Sequence, residues 1–150
     1  MPRRAVLSDE QRMALLALPD DETTLVQHWT LSEDDLAIIV RRRRPHNRLG
    51  FAIQLCALRY PGRLLRPGEL IPDTPLAFVA EQLQIAPEVL ADYATRGPTR
   101  YEQLDALREG FGFTQFSRPL RAALQEWLLP IALTTTSGAG LARSLLGECR

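Results

Sequence analysis

One twelve-residue segment, LGFAIQLCALRY (Leu49 to Tyr60), constrains this chain more than any other. Leu49, Phe51, Ile53, Leu55, Cys56 and Leu58 make it apolar on nearly every side of a helix. A helix without a polar face is stable only when other elements surround it. The segment therefore reads as the central helix of a multi-helix domain. Its limits are marked by Asn47, which can cap a helix starting at Arg48, and by Pro61-Gly62, which ends it near Tyr60.

The rest of the chain carries helical punctuation. Ser8 with Gln11 forms a capping-box pattern ahead of Met13, Leu15, Leu16 and Leu18, and Pro19 closes that run. Asp20 or Asp21 can start a short second helix through Leu25, Val26 and Trp29. Ser32, followed by Glu33, Asp34 and Asp35, starts a third, with acids where the helix dipole favours them. Pro45 should end that helix, because proline disfavours helical geometry in the residue before it. Residues 61–75 hold four prolines and two glycines and read as a loop. Further helices are expected at about 75–84, 86–95, 99–109 and 117–129, with Thr99 and Glu102 as another capping box. No alternating strand pattern or internal repeat is visible, so the fold class is all-α.

The domain expected is 1–133, with possible subdomains 1–60 and 74–133. Residues 134–150 read as a hinge, TTTSGAG, and the start of a next helix. That helix lacks a terminator, which suggests a fragment of something longer. With 150 residues, 45% hydrophobic, the chain can bury a core of its own. No apolar run is long enough to span a membrane, and the N-terminus lacks the apolar centre of an export signal. Two cysteines, Cys56 and Cys149, form neither a disulfide framework nor a zinc spacing. A cytoplasmic location is the expectation.

Charge is segregated along the chain. Residues 1–40 carry eight acids and three arginines, and residues 69–150 carry ten acids and seven arginines. Residues 41–68 carry eight arginines and no acid. A formally neutral chain thus conceals a basic middle, the kind of footprint that polyanions recognise. All eighteen basic residues are arginine. GC-rich coding explains this without function. Arginine's planar fork, which grips phosphate bidentately where lysine cannot, explains it with one.

Within that middle, Arg41, Arg42, Arg43 and Arg44 stand at an expected helix C-terminus. The dipole accounts for one or two cations there, but poorly for four. Arg48 is placed at a helix start, where a cation is unfavourable unless an anion compensates, and a helix start plus arginine suits phosphate. Arg48 and Arg59 lie eleven residues apart, so they fall on one face, roughly 16 Å apart. His46, Asn47, Arg63 and Arg66 complete the candidates of this stretch.

The segment LAFVAEQLQIAPEVLADYAT (76–95) fits a helix-turn-helix-like pair. Val79, Ala80, Leu83, Ile85, Leu90 and Tyr93 occupy its apolar positions, and Pro87 stands in the first turn of the second helix. That second helix carries Glu88 and Asp92 and no basic residue. Acids repel phosphate, so Arg96, Thr99, Arg100 and Tyr101, just beyond it, are the better contacts. Enzymatic signals are weak: there is no Walker A, H-E-x-x-H, G-x-S-x-G or C-x-x-C sequence, and His28 and His46 lack metal-ligand spacing.

The phrases LSDEQRMALLALPDDE, RRRRPHNRLGFAIQLCALRYPGRLLRPGELIP, LAFVAEQL and TRYEQLDALREGFGF resemble the N-terminal region of transposases of the Tn-three family of replicative bacterial transposons. The resemblance runs from about Leu7 to the end. It implies a much longer protein whose N-terminal part binds the terminal inverted repeats. It also implies a DDE-type carboxylate triad on an RNase H-like fold, with divalent metal, far beyond these residues. No catalytic residue, metal ligand, cofactor or small-molecule substrate is then expected in this chain. Its partners would be double-stranded DNA and the remainder of the transposase. By the same resemblance, a DNA role extends to Arg41–Arg44, Asn47, Arg48, Arg59 and Arg63. An alternative is an interaction or dimerisation module, with DNA held by later domains.

Overall fold

The computed structural model describes residues 6–93 and 97–150, the latter with side chains from residue 101 onward. Among these residues the chain is all-helical. α1 (Asp9–Leu16), α2 (Glu22–His28), α3 (Glu33–Ile39), α4 (Pro45–Arg59) and α5 (Asp73–Leu83) come first. A 3₁₀ helix (Pro87–Asp92), α6 (Gly97–Phe111), α7 (Arg118–Thr134) and α8 (Gly138–Cys149) follow.

The caps follow local chemistry. Ser8 closes a reciprocal capping box with Gln11, and Ser32 closes one with Asp35. Asp21 accepts from the Thr24 amide, which holds its carboxyl below the ordinary aspartate value. α5 ends on Gln84 in the left-handed region (φ 55°, ψ 42°). There Gln84 N–H donates to the Glu81 carbonyl and Ile85 N–H to the Ala80 carbonyl, which satisfies two terminal acceptors.

α4 is the axis of one compact unit, Leu18–Phe113. Nine consecutive residues of it, Leu49 to Ala57, are buried. Around it stand Leu25 and Trp29 of the α2 region, Ile39 of α3, Val79 and Ala80 of α5, and Leu107 of α6. The 3₁₀ helix also packs on α4. Gly50 makes this possible, because the Tyr93 ring lies where a Cβ would stand. The Tyr93 hydroxyl then donates to Gln103 Oε1 at 2.5 Å. Several polar groups that line the core are matched. Trp29 Nε1 donates to the Tyr60 carbonyl at 2.8 Å, and Gln54 accepts from Leu65 N–H at 3.1 Å. Gln82 accepts from Leu31 N–H and donates to the Trp29 carbonyl. The Cys56 thiol, pushed up to about 12 by burial, is a packing residue.

Four expectations change. Pro45 does not end the third helix; α3 stops at Ile39, and Pro45 opens α4, where its missing N–H costs nothing. Asn47 therefore lies inside the first turn of α4, and Arg44 holds the cap position without a side-chain bond. The α-helix expected over 86–95 is the six-residue 3₁₀ helix instead. Val89 and Leu90 pack toward the core, and an extended Tyr93 (ψ 135°) stops it. Pro130 does not end α7, which continues to Thr134 with the ladder bond at residue 130 missing.

The second unit joins the segments up to Ala17 and from Thr114. α7 packs on α8, and the Val6 backbone approaches Gly138 so closely that a Cβ there would overlap it. α1, α7 and α8 contain no buried residue.

Candidate nucleic-acid interface

The arginine run is neither a helix end nor part of α4. It forms the short connection between α3 and α4, and its backbone turns back on itself: Arg41 N–H donates to the Ile38 carbonyl and Arg42 N–H to the Ile39 carbonyl. Arg41, Arg43 and Arg44 are exposed. Arg42 turns inward, its guanidinium 5.2 Å from the centre of the Phe51 ring. Its Nε is buried and, among the described residues, has no hydrogen-bond partner.

Arg48 is half-buried and reaches backward. Its Nε donates to the Arg42 carbonyl at 2.7 Å and its Nη2 to the Val40 carbonyl at 3.2 Å. The Val40 carbonyl caps α3 at the negative pole of that helix, and the Arg42 carbonyl follows it in the connection. They supply the compensation that a cation in the first turn of α4 needs. His46 and Asn47 are half-buried beside it.

At the other end of α4, Arg59 forms a bidentate pair with Asp35, Nη1 to Oδ2 at 2.7 Å and Nη2 to Oδ1 at 2.8 Å. The Arg59 donors hold the Asp35 carboxyl below its ordinary range, against the opposing effect of burial. Arg59 also lies 5.5 Å from the centre of the Phe111 ring. Arg63 pairs with Glu69 at 2.6 and 2.9 Å, and Glu69 also accepts from Arg66 N–H, so the Glu69 carboxyl is lowered too. The Arg66 side chain is exposed.

α4 is 15 residues long, which is about 22 Å. The structure thus divides the basic middle into a cluster at each end of this helix. The first carries three outward guanidiniums. The second has two of its three arginines bonded to acids. Tyr101 is exposed on α6. Arg96 lies outside the described residues, as do the side chains of Thr99 and Arg100. Sequence reasoning missed Asp35 and Glu69 as partners. Glu69 follows the acid-free stretch directly, and its spacing from Arg63 was a usable signal; the pairing of Asp35 with a residue 24 positions away was not visible.

Residues 6–150 match the family described as a domain of unknown function, DUF4158. The chain belongs to that DUF4158 family. It is 43% identical, over its full length, to the transposase for transposon Tn21 of Escherichia coli. It is 39% identical, again over its full length, to the transposase for transposon Tn501 of Pseudomonas aeruginosa. The transposase for transposon Tn1546 of Enterococcus faecium is 36% identical over 97% of the chain. The match is to the N-terminal region of these Tn-three-family transposases, as the sequence phrases implied. The chain spans about 15% of the length of these relatives. Among the described residues no helix is long and apolar enough to cross a membrane.

Proposed function

We propose that this DUF4158 chain is a DNA-binding module of a transposase and takes part in recognising the terminal inverted repeats of a replicative transposon. The observation that carries this reading is the α3–α4 connection, where Arg41, Arg43 and Arg44 face solvent next to the uncapped start of α4. Three guanidiniums and a positive helix pole on one short, internally bonded loop suit the phosphate backbone of duplex DNA. Arg66 and Tyr101, with Arg96, Thr99 and Arg100, remain the candidates for further contacts. The similarity to transposases supports DNA as the polyanion. In this reading strand cleavage and joining, with their divalent metal, belong to the rest of a longer cytoplasmic protein acting on the bacterial nucleoid.

Affinity measured on a terminal-repeat duplex and a scrambled duplex, at two or more salt concentrations, tests it. Salt-sensitive binding with preference for the repeat is expected; binding to neither duplex would sink the reading.

A second reading is favoured by a separate observation. Leu129 and Leu133, four residues apart on one face of α7, are 60% and 79% exposed, in a unit whose helices contain no fully buried residue. That suits an interaction or dimerisation module. A chain that stays monomeric in sedimentation at all concentrations, and binds the repeat with full specificity, would exclude dimerisation.

A further inference from the structure

We infer that Arg48 is a positioning residue that holds the α3–α4 connection in its DNA-presenting shape, and is not itself a phosphate contact. The inference rests on the DNA-binding reading above and assigns the roles within it. Two of Arg48's donors are committed to the carbonyls of Val40 and Arg42, which flank the first arginine of the run. These bonds fix the peptide path through Arg41. Arg42 supplies the second anchor, its guanidinium laid against Phe51, one of the fully buried residues of α4. With the backbone held from beneath and the second side chain turned in, Arg41, Arg43 and Arg44 are left facing outward. The result is a division of labour among like residues: two arginines build the loop and three offer charge. An arginine suits the brace because its fork can reach two acceptors at fixed angles, whereas lysine offers a single point charge.

Phosphate contact and bracing leave different signatures. A contact releases counterions, so its loss lowers the salt slope by about 0.9 unit. A brace changes the order of the loop before DNA is present. The 150-residue chain, Arg48→Met and Arg48→Lys are compared in two measurements. The first is limited trypsin digestion without DNA, at a temperature where circular dichroism shows all three folded, reading cleavage after Arg41, Arg42 and Arg43 by mass. The second is affinity for the terminal-repeat duplex across a salt series. Both variants should be cut at those bonds about fivefold faster or more, and should bind about tenfold more weakly, the scale of losing one to two hydrogen bonds. Their salt slope should stay within roughly half a unit of the parent's. Parental cleavage rates, together with a slope about one unit lower in Arg48→Met, would overturn the inference and make Arg48 a phosphate contact. Should the parent chain bind neither duplex, the DNA-binding reading falls, and the cleavage rates alone decide whether Arg48 braces the loop.

Discussion

Arg48 and Arg59, eleven residues apart on α4, grip opposite ends of one seven-residue helix. Arg48 bonds the carbonyls where α3 ends, and Arg59 bonds Asp35 in its first turn. The two helices therefore run antiparallel, and the shared face of the two arginines is the face that α3 covers. Two cations that look like phosphate ligands in the sequence instead fix the element that leads into the exposed arginines. Internally bonded and solvent-facing arginines are thus interleaved along one stretch of chain.

The Arg59–Asp35 pair should be a stability determinant. Asp35 is almost fully buried and also accepts from the Ser32 amide, so its removal strands a cation and opens a cap. Arg59 remains about one-third exposed, and water offsets part of the loss. Asp35→Ala should cost about 2 kcal/mol, below the full cost of breaking a buried pair. Chemical denaturation checks this. A midpoint unchanged within error would mean that the pair contributes nothing.

The same pair sets a pH dependence. Asp35 and Glu69 both have native carboxyls depressed below their ordinary values of 3.8 and 4.5, chiefly by the Arg59 and Arg63 donors. A depressed acid stabilises the fold above its unfolded value, and that contribution is lost as pH falls through the native value. Stability should therefore hold from neutral pH down to the ordinary carboxylate range and decline below it. Asp35→Asn and Glu69→Gln should each flatten that acid limb. Thermal melts at a series of pH values measure it, and an acid limb identical in both variants would contradict the assignment.

The fold was legible where local chemistry decides it. Apolar periodicity and the Pro61-Gly62 stop marked α4, which runs three residues earlier than its capping signals suggested. Ser8, Asp21 and Ser32 cap as their side chains predict. Tertiary contact decided the rest. Nothing near Pro87 announces that packing of Val89 and Leu90, with Tyr93 over Gly50, leaves a 3₁₀ helix in place of the second half of a helix pair. In the candidate site, the count of eight arginines was correct, but a count along the chain cannot tell Arg43 in solvent from Arg48 on two carbonyls. That distinction depends on where α3 ends, and the proline that signals a stop for α3 in the sequence is the start of the next helix.

Ala80 tests the helix that precedes the 3₁₀ element. It is 1% exposed in α5, and its carbonyl accepts the Ile85 N–H that closes the turn. Ala80→Glu forces a longer, charged side chain into that packed contact. The charge has no partner there, so the cost should be about 3 kcal/mol or more, enough to broaden or abolish cooperative unfolding. Circular dichroism melts check it, and an unchanged transition would show that α5 is not packed as described.

The exposed arginines carry the remaining prediction. Arg43 and Arg44 have no ion pair among the described residues, whereas Arg63 is engaged by Glu69. If the α3–α4 connection holds phosphates, Arg43→Ala and Arg44→Ala should each weaken binding to terminal-repeat and scrambled duplexes alike. Phosphates carry no sequence, so the preference between duplexes should be unchanged. Each loss should also lower the slope of log affinity against log salt by about 0.9 unit. Arg63→Ala should leave the slope nearly intact, because its charge is already balanced within the fold, and should act instead on the stability of the 63–69 loop. The three variants are separated by one salt series on both duplexes, with a thermal melt beside it. Parental affinity and slope in Arg43→Ala and Arg44→Ala would remove the α3–α4 connection from the DNA interface. The exposed leucines of α7 would then become the surface to examine, and with them the interaction-module reading.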